Sequence, residues 1–85
     1  GEPVEVGIAP VRESAITVPL LAVVRDSTGT SVFRVQDQVA QRVPVQVDRV
    51  IGERVMVHPG ALSPGDQVVY AGMTRLVDGD TVEVR

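Results

Sequence analysis

Ser63-Pro64-Gly65-Asp66-Gln67-Val68-Val69-Tyr70-Ala71-Gly72-Met73-Thr74-Arg75-Leu76-Val77-Asp78-Gly79-Asp80-Thr81-Val82-Glu83-Val84 sets valine-rich runs between short turn signals. Pro64 stands second and Gly65 third in the first of these turns. Proline presets φ at about −65° and glycine accepts positive φ, so residues 63–66 read as a type II turn, with the Asp66 side chain bonding nearby backbone. Gly72 marks a second turn. Asp78-Gly79, between Arg75-Leu76-Val77 and Thr81-Val82-Glu83-Val84, is a strong local hairpin signal. Local physics therefore predicts three β-strands joined by tight turns here, with Gly65 and Gly79 at positive φ.

The rest of the chain continues this pattern. Val4, Val6 and Ile8 alternate on one face of a strand over 4–8, which Pro10 ends. Residues 15–24 are the longest apolar run, and from Leu20 to Val24 they are apolar on both faces, which predicts burial on both sides. Pro19 within that run requires a bulge or a position whose N–H has no partner. A polar loop from Arg25 to Gly29 leads to a return strand over 30–35, with Val32 and Phe33 on opposite faces. The best local pairing is a hairpin of 18–24 with 30–35. Beyond a polar turn at Gln36-Asp37-Gln38, Val43, Val45 and Val47 face one way along 39–47, while Arg42, Pro44 and Gln46 face the other. Pro44 makes that strand an edge or a bulge. Residues 48–52 read as a connector whose Val50 and Ile51 help cover the core, and 53–57 as a strand with Val55 and Val57 inward. The expected core is Val43, Val45, Val47, Val55, Val57, Val68, Val82 and Val84. Turn signals recur about every 8–12 residues and no helical period outlasts one turn. The class is all-β: a small β-roll or barrel of about six to eight short, mainly antiparallel strands.

Composition narrows the function classes. The 85 residues suffice for one small core. Valine dominates the apolar set, and Phe33 and Tyr70 are the only aromatics. β-branched side chains suit a pleated, half-buried surface and lose χ1 freedom in helices. The formal net charge of −3 and eight dispersed arginines argue against a phosphate-binding surface, so no nucleic acid partner is expected. The absence of cysteine removes disulfide frameworks and zinc ribbons. No secretory leader is visible, and the apolar run at 15–24 is half of the roughly 20 residues needed to span a bilayer. The chain is expected to be soluble, with any export signal lying outside it.

Candidate chemistry is sparse. His58, the only histidine, sits in a His58-Pro59-Gly60 turn and reads as solvated, with a pH-sensing role at an interface as the functional alternative. Met56 and Met73 offer soft thioether donors, but they are isolated in sequence and read as core filling. Asp66, Asp78 and Asp80 stand beside glycines without the oxygen-ligand pattern of a calcium loop, and backbone bonding at turns accounts for them. Ser14, Ser27, Ser31 and Ser63 occupy no nucleophile elbow. No catalytic residue, metal ligand or cofactor site is assigned, and the chain is read as no enzyme. Arg25, Arg34, Arg42, Arg49 and Arg75 are either solubilising charges or contacts to a partner's carboxylates.

The pattern Gly60-x-Leu62-x-Pro64-Gly65-Asp66-x-Val68-Val69-x-x-Gly72, followed by Leu76-x-Asp78-Gly79-x-x-Val82, resembles the C-terminal end of periplasmic adaptor subunits. These are the membrane fusion proteins of RND-type efflux pumps, related to the HlyD secretion family. Upstream, Ala15-Ile16-Thr17-Val18-Pro19, Ala22-Val23-Val24, Val32-Phe33-Arg34-Val35 and Arg42-Val43-x-Val45 resemble the preceding family segments in the right order. Ala61 departs from the pattern as an added residue in a Gly-Leu step, so a longer turn is expected there.

The resemblance implies a non-catalytic interaction domain, the membrane-proximal β domain over 18–85, preceded by a lead-in segment over 1–17. That segment is read first as the last strand of the adaptor β-barrel, which it resembles, with the opening strand of the membrane-proximal domain as the alternative. The implied location is the periplasm of a Gram-negative bacterium, at the inner membrane. The implied partners are an inner-membrane efflux transporter, which an outer-membrane channel completes, and neighbouring adaptor copies. The loop carrying Arg75, Val77, Asp78, Gly79 and Asp80 matches the family loop that approaches the transporter, while Pro64, Gly65, Asp66, Gly72 and Gly79 shape turns. An isolated domain is expected to be a monomer. One domain's contacts fall short of the association cost of roughly 4–15 kcal/mol, and multivalency in the full assembly recovers affinity. A second reading from another class is a small β-barrel that binds a metal ion or an oligosaccharide. The scarcity of aromatics counts against the sugar.

Overall fold

Alternation of valine with polar residues builds two sheets that share one core, as seen in a computed structural model describing residues 3–12 and 16–84. Among these residues the strands are β1 (Val4–Pro10), β2 (Thr17–Pro19), β3 (Val24–Asp26), β4 (Gly29–Gln36), β5 (Val39–Pro44), β6 (Val47–Ile51), β7 (Arg54–Val57), β8 (Gln67–Ala71) and β9 (Val82–Val84). Two 3-10 turns, Leu20–Ala22 and Met73–Arg75, are the helical pieces. The expected start of the second strand at Ala15, and Ser14, lie outside the described residues.

The larger sheet runs β3-β4-β8-β1-β9, with β5 on the other side of β4. The smaller runs β2-β7-β6. Pairing is antiparallel except between β1 and β9, where Val4, Glu5 and Val6 lie beside Val82, Glu83 and Val84 in parallel. A bridge between Val39 and Thr81 joins β5 to the residue before β9. The Ala40 N–H donates to the Asp80 carbonyl (2.8 Å), and the Val82 N–H to that of Gln38 (2.8 Å). These bonds close β5, β4, β8, β1 and β9 into a ring. Closure leaves the five ring strands without an open edge, while β3, outside the ring, keeps one.

Successive residues of β4 and β8 serve opposite faces. Val32 and Val68 join Val11, Val18, Val55, Val57 and Leu62 in a cluster between ring and small sheet. Phe33 and Val69 join Val6, Ala40, Leu76 and Val82, which fill the ring. Eight valines are fully buried. At about 1.5 kcal/mol or more each, their burial outweighs any surface ion pair at about 0–1 kcal/mol. Tyr70, the extra residue of a bulge opposite Gly7 and Ile8, lies so close to Gly7 that a Cβ there would stand 2.9 Å from its ring.

The all-β, mainly antiparallel architecture holds, with nine described strands where about six to eight were expected. The 39–47 run breaks after Pro44, and the 48–52 connector is most of strand β6, joined to β7 through Gly52 at φ +60°. The 18–24 arm splits. Pro19 ends β2 in the small sheet, Leu20–Ala22 turns, and only β3 pairs with β4 across the Ser27-Thr28 turn. The hairpin expected around Asp78-Gly79 does not form. Met73–Arg75 curls into a 3-10 turn and β9 pairs with β1 instead, which buries Val82 in the ring cluster. Of the expected core, Val55, Val57, Val68 and Val82 are buried, and Val43, Val45 and Val47 pack half-buried against the first cluster. Val84 is the exception at 44% exposed. Leu20, Leu21, Val50 and Ile51, expected inside, are also exposed.

A Val68→Asp substitution places an unpaired carboxylate in the centre of the fold and should cost more than about 3 kcal/mol, enough to unfold a small domain. Val84→Asp should stay within about 0.5 kcal/mol of wild type. Urea denaturation followed by circular dichroism tests the pair. Equal midpoints for the two variants would refute the assigned faces.

Candidate interaction surfaces

The Ser63–Asp66 turn is bonded from both sides. The Asp66 N–H donates to the Ser63 carbonyl (3.1 Å), and the Ser63 N–H donates to Asp66 Oδ2 (2.9 Å). Pro64 and Gly65 occupy the central positions, with Gly65 at φ +90°. The Gly65 N–H and the Asp66 carbonyl then bond the Val11 backbone, fastening the turn to the exit of β1. Gly72 is constrained twice. Its φ is +83°, and a Cβ would lie 2.4 Å from the Glu5 carbonyl oxygen, so the C-terminal 3-10 turn starts in backbone contact with β1.

The loop from Arg75 to Asp80 divides its residues by role. The Asp80 N–H closes a turn onto the Val77 carbonyl (3.1 Å), with Gly79 at φ +92° between them. Asp80 Oδ2 accepts from the Val77 N–H (3.0 Å) and Asp78 Oδ1 from the Arg42 N–H (2.9 Å). The Gly79 N–H donates to the Ala40 carbonyl (2.8 Å). The Asp78 carboxylate thus holds the loop against β5, while that of Asp80 closes the loop's own turn. Val77, 61% exposed, and Arg75 point outward, and Arg75 makes no hydrogen bond or ion pair among the described residues.

The other arginines differ by register. Arg42 Nε donates to Ser31 Oγ (2.9 Å) and its Nη2 pairs with Asp26 Oδ2, so Arg42 ties β3, β4, β5 and the Asp78 loop together. Arg34 Nη2 donates to its cross-strand neighbour Gln41 (2.9 Å), and Nη1 stands 4.0 Å from Asp66. Arg54 donates to the Thr17 carbonyl (2.9 Å) and hydroxyl. Burial, and then the charge of Arg12, hold its pKa below the ordinary guanidinium value. Arg25 and Arg49 are exposed and without such partners among the described residues.

His58 is 63% exposed, its N–H bonded to the Gln46 carbonyl (2.8 Å) and its Nδ1 3.5 Å from Asp48. Met73 packs against the ring cluster, while Met56 lies half-buried on β7. Among the described residues no three His, Asp or Glu side chains gather as a metal site. Ser31 is buried under Arg42, and Ser27 and Ser63 lie exposed in turns.

A second surface was not read from the sequence. Leu20 (44% exposed) and Leu21 (72%) on the 3-10 turn lie beside the Gly52-Glu53 hairpin turn, where the Leu20 N–H donates to the Glu53 carbonyl (2.8 Å). Val50 and Ile51 end β6 at the same turn, both exposed. An open groove of about 280 Å³ is lined by Leu20, Val23, Arg25, Val47, Val50 and Val55. A neighbouring one of about 300 Å³ is lined by Pro19, Leu20, Leu21 and Glu53. Clustered apolar exposure of this kind marks interaction sites. The available signal was Val50-Ile51 directly before Gly52-Glu53, since residues flanking a two-residue turn project past the core they leave.

Residues 15–84 match the family described as the C-terminal permuted SH3-like domain of YknX. The chain belongs to this family. It is an adaptor domain of the membrane-fusion, HlyD type, a kind that is generally non-catalytic and works through protein–protein contacts. The ring of non-sequential strands agrees with the description. No curated protein matches the chain. The family match begins after β1, yet β1 stands inside this ring between β8 and β9.

Gly72→Ala combines strained φ with a backbone clash, whereas Gly65→Ala meets open space. Gly65→Ala should cost about 1–2 kcal/mol and Gly72→Ala clearly more, since the Glu5 carbonyl must move. Thermal denaturation of both variants measures the order. Gly72→Ala no less stable than Gly65→Ala would show that β1 and the C-terminal turn do not touch.

Proposed function

We propose that this chain is the non-catalytic interaction domain of a periplasmic adaptor that links an RND-type inner-membrane efflux transporter to an outer-membrane channel. Residues 18–85 are then its membrane-proximal β domain. The observation that carries the reading is the family match over most of the chain. Of the two origins for residues 1–17, the opening strand of this domain is the better supported, because Val6 is fully buried in the ring. Periplasmic placement at the inner membrane follows from the adaptor role. No helix among the described residues is long and apolar enough to cross a membrane.

Docking is proposed through the loop at Arg75 and Val77, with Asp78, Gly79 and Asp80 as its frame. Support comes from the division of roles there. The two carboxylates are engaged by backbone N–H groups, which leaves a cation and an aliphatic side chain to meet a partner. Arginine beside a hydrophobic residue is a common anchor pairing at interfaces. A ligand-holding barrel is less well supported, because Val6, Phe33, Val69, Leu76 and Val82 fill the ring. In solution the isolated domain is proposed to be a monomer, with neighbouring copies and multivalency supplying affinity in the assembly.

In the full-length adaptor, Arg75→Glu and Val77→Asp should each lower export and transporter cross-linking by about tenfold at unchanged adaptor abundance, the loss of roughly 1.4 kcal/mol at an anchor. Asp80→Arg should instead lower abundance, since the Val77 N–H loses its acceptor. Wild-type export and cross-linking from both Arg75→Glu and Val77→Asp would move the docking face off this loop.

A further inference from the structure

The groove of Leu20, Val23, Arg25, Val47, Val50 and Val55 runs between two strand edges without ladder partners. Among the described residues β3 pairs only with β4, and β6 only with β7. Both contribute to the groove walls. Its floor belongs to the first core cluster through buried Val55 and half-buried Val23 and Val47, so the site is built on rigid packing. Leu20 and Val50 leave about half their surface in water at its rim.

Charge gives the groove a direction. Arg25 lines it with no hydrogen bond or ion pair among the described residues. Its neighbour Asp26 does not neutralise it. Oδ1 of Asp26 accepts from the Thr28 N–H (2.8 Å) and hydroxyl (2.6 Å), and Oδ2 pairs with Arg42. Glu53 lines the adjoining groove, with Leu20 shared between the two. An aliphatic trough therefore has an unengaged cation on one flank and a carboxylate on the other.

We propose that this groove docks an extended segment of a partner protein in which an aliphatic side chain is followed by a carboxylate. The aliphatic group fills the space between Leu20 and Val50, and the carboxylate takes a charge-assisted bond from the Arg25 guanidinium. The open β6 edge offers main-chain groups to the same segment, the arrangement by which a strand adds to a sheet. An anionic membrane fits less well. Its headgroups would meet Glu53 on a chain of net charge −3, and the apolar surface is concave. Neither Arg75 nor Val77 lines this groove, so this proposal and loop docking stand or fall separately.

The test titrates the 15N-labelled 85-residue chain with the capped tetrapeptide Thr-Leu-Glu-Val, the same peptide with Gln for Glu, and vesicles containing about one-third anionic lipid. The Glu peptide should saturate amide shifts at Leu20, Val23, Arg25 and Val50 with roughly millimolar affinity. The Gln peptide should bind about three- to fivefold more weakly, the size of one solvent-exposed charge pair. Arg25→Glu and the milder Arg25→Gln should each abolish the preference for Glu while keeping the wild-type melting temperature. Absence of saturable shifts, equal binding of the two peptides, a preference that survives both substitutions, or a response to vesicles alone would overturn the proposal.

Discussion

The parallel pair of β1 with β9 is the constraint on which the architecture rests. Parallel neighbours cannot be joined by a tight turn and require a long connection between them. Here that connection is the whole domain, because β1 opens the described chain and β9 ends it. β1 also bonds β8 on its other side, so it joins β8 to β9 directly within the ring. The other details follow from keeping it there. Gly72 lacks a side chain where the C-terminal turn meets Glu5, the 63–66 turn bonds Val11 at the exit of β1, and Val6 seals the ring cluster. The family match over 15–84 leaves this strand out, so the matched segment does not contain everything that its core requires.

Closure on β5 is the second requirement. The bonds from 79–82 to 38–40 are main-chain bonds, so they demand a backbone path and no particular side chain. The carboxylates of Asp78 and Asp80 set that path by accepting N–H groups that would otherwise be left without partners near the loop. Acidic residues beside glycine therefore do structural work here. That accounts for a loop rich in charge in which the cation Arg75 is the side chain left free.

Legibility in the sequence tracked the range of the interactions involved. The 53–57 strand and the faces of Val55, Val57 and Val68 follow from alternation, which needs only neighbouring residues. The 18–24 run misled because Pro19 did more than interrupt a ladder. It transferred the chain from one sheet to the other through a 3-10 turn and left Leu21 in solvent. Asp78-Gly79 did make a turn, but the segment before it curls into a 3-10 turn and the one after it pairs with distant β1. Local turn chemistry specifies that the chain bends and says nothing about which strand it then joins. The interaction surfaces were half legible for the same reason. The Arg75–Asp80 loop stood out through the family resemblance, whereas the Leu20 and Val50 groove arises only when two sheet edges are brought side by side.

The arginines show how far identity alone falls short of role. Arg42 and Arg25 both flank Asp26 in space, yet Asp26 pairs with Arg42 across the sheet. On β5 Arg42 lies opposite Phe33 of β4, and its guanidinium reaches Ser31 of β4 and Asp26 of β3, while its backbone N–H holds Asp78. Arg25 lies opposite Thr30 on the edge strand β3, where among the described residues no carboxylate pairs with it. An exposed pair such as Arg42 with Asp26 contributes about 1 kcal/mol or less to stability. Its larger consequence is electrostatic. By engaging Asp26 it leaves the positive charge of Arg25 uncompensated beside an apolar groove. A stabilising contact of modest size thereby sets the sign of a neighbouring surface, and the sign of that surface selects which partners it favours.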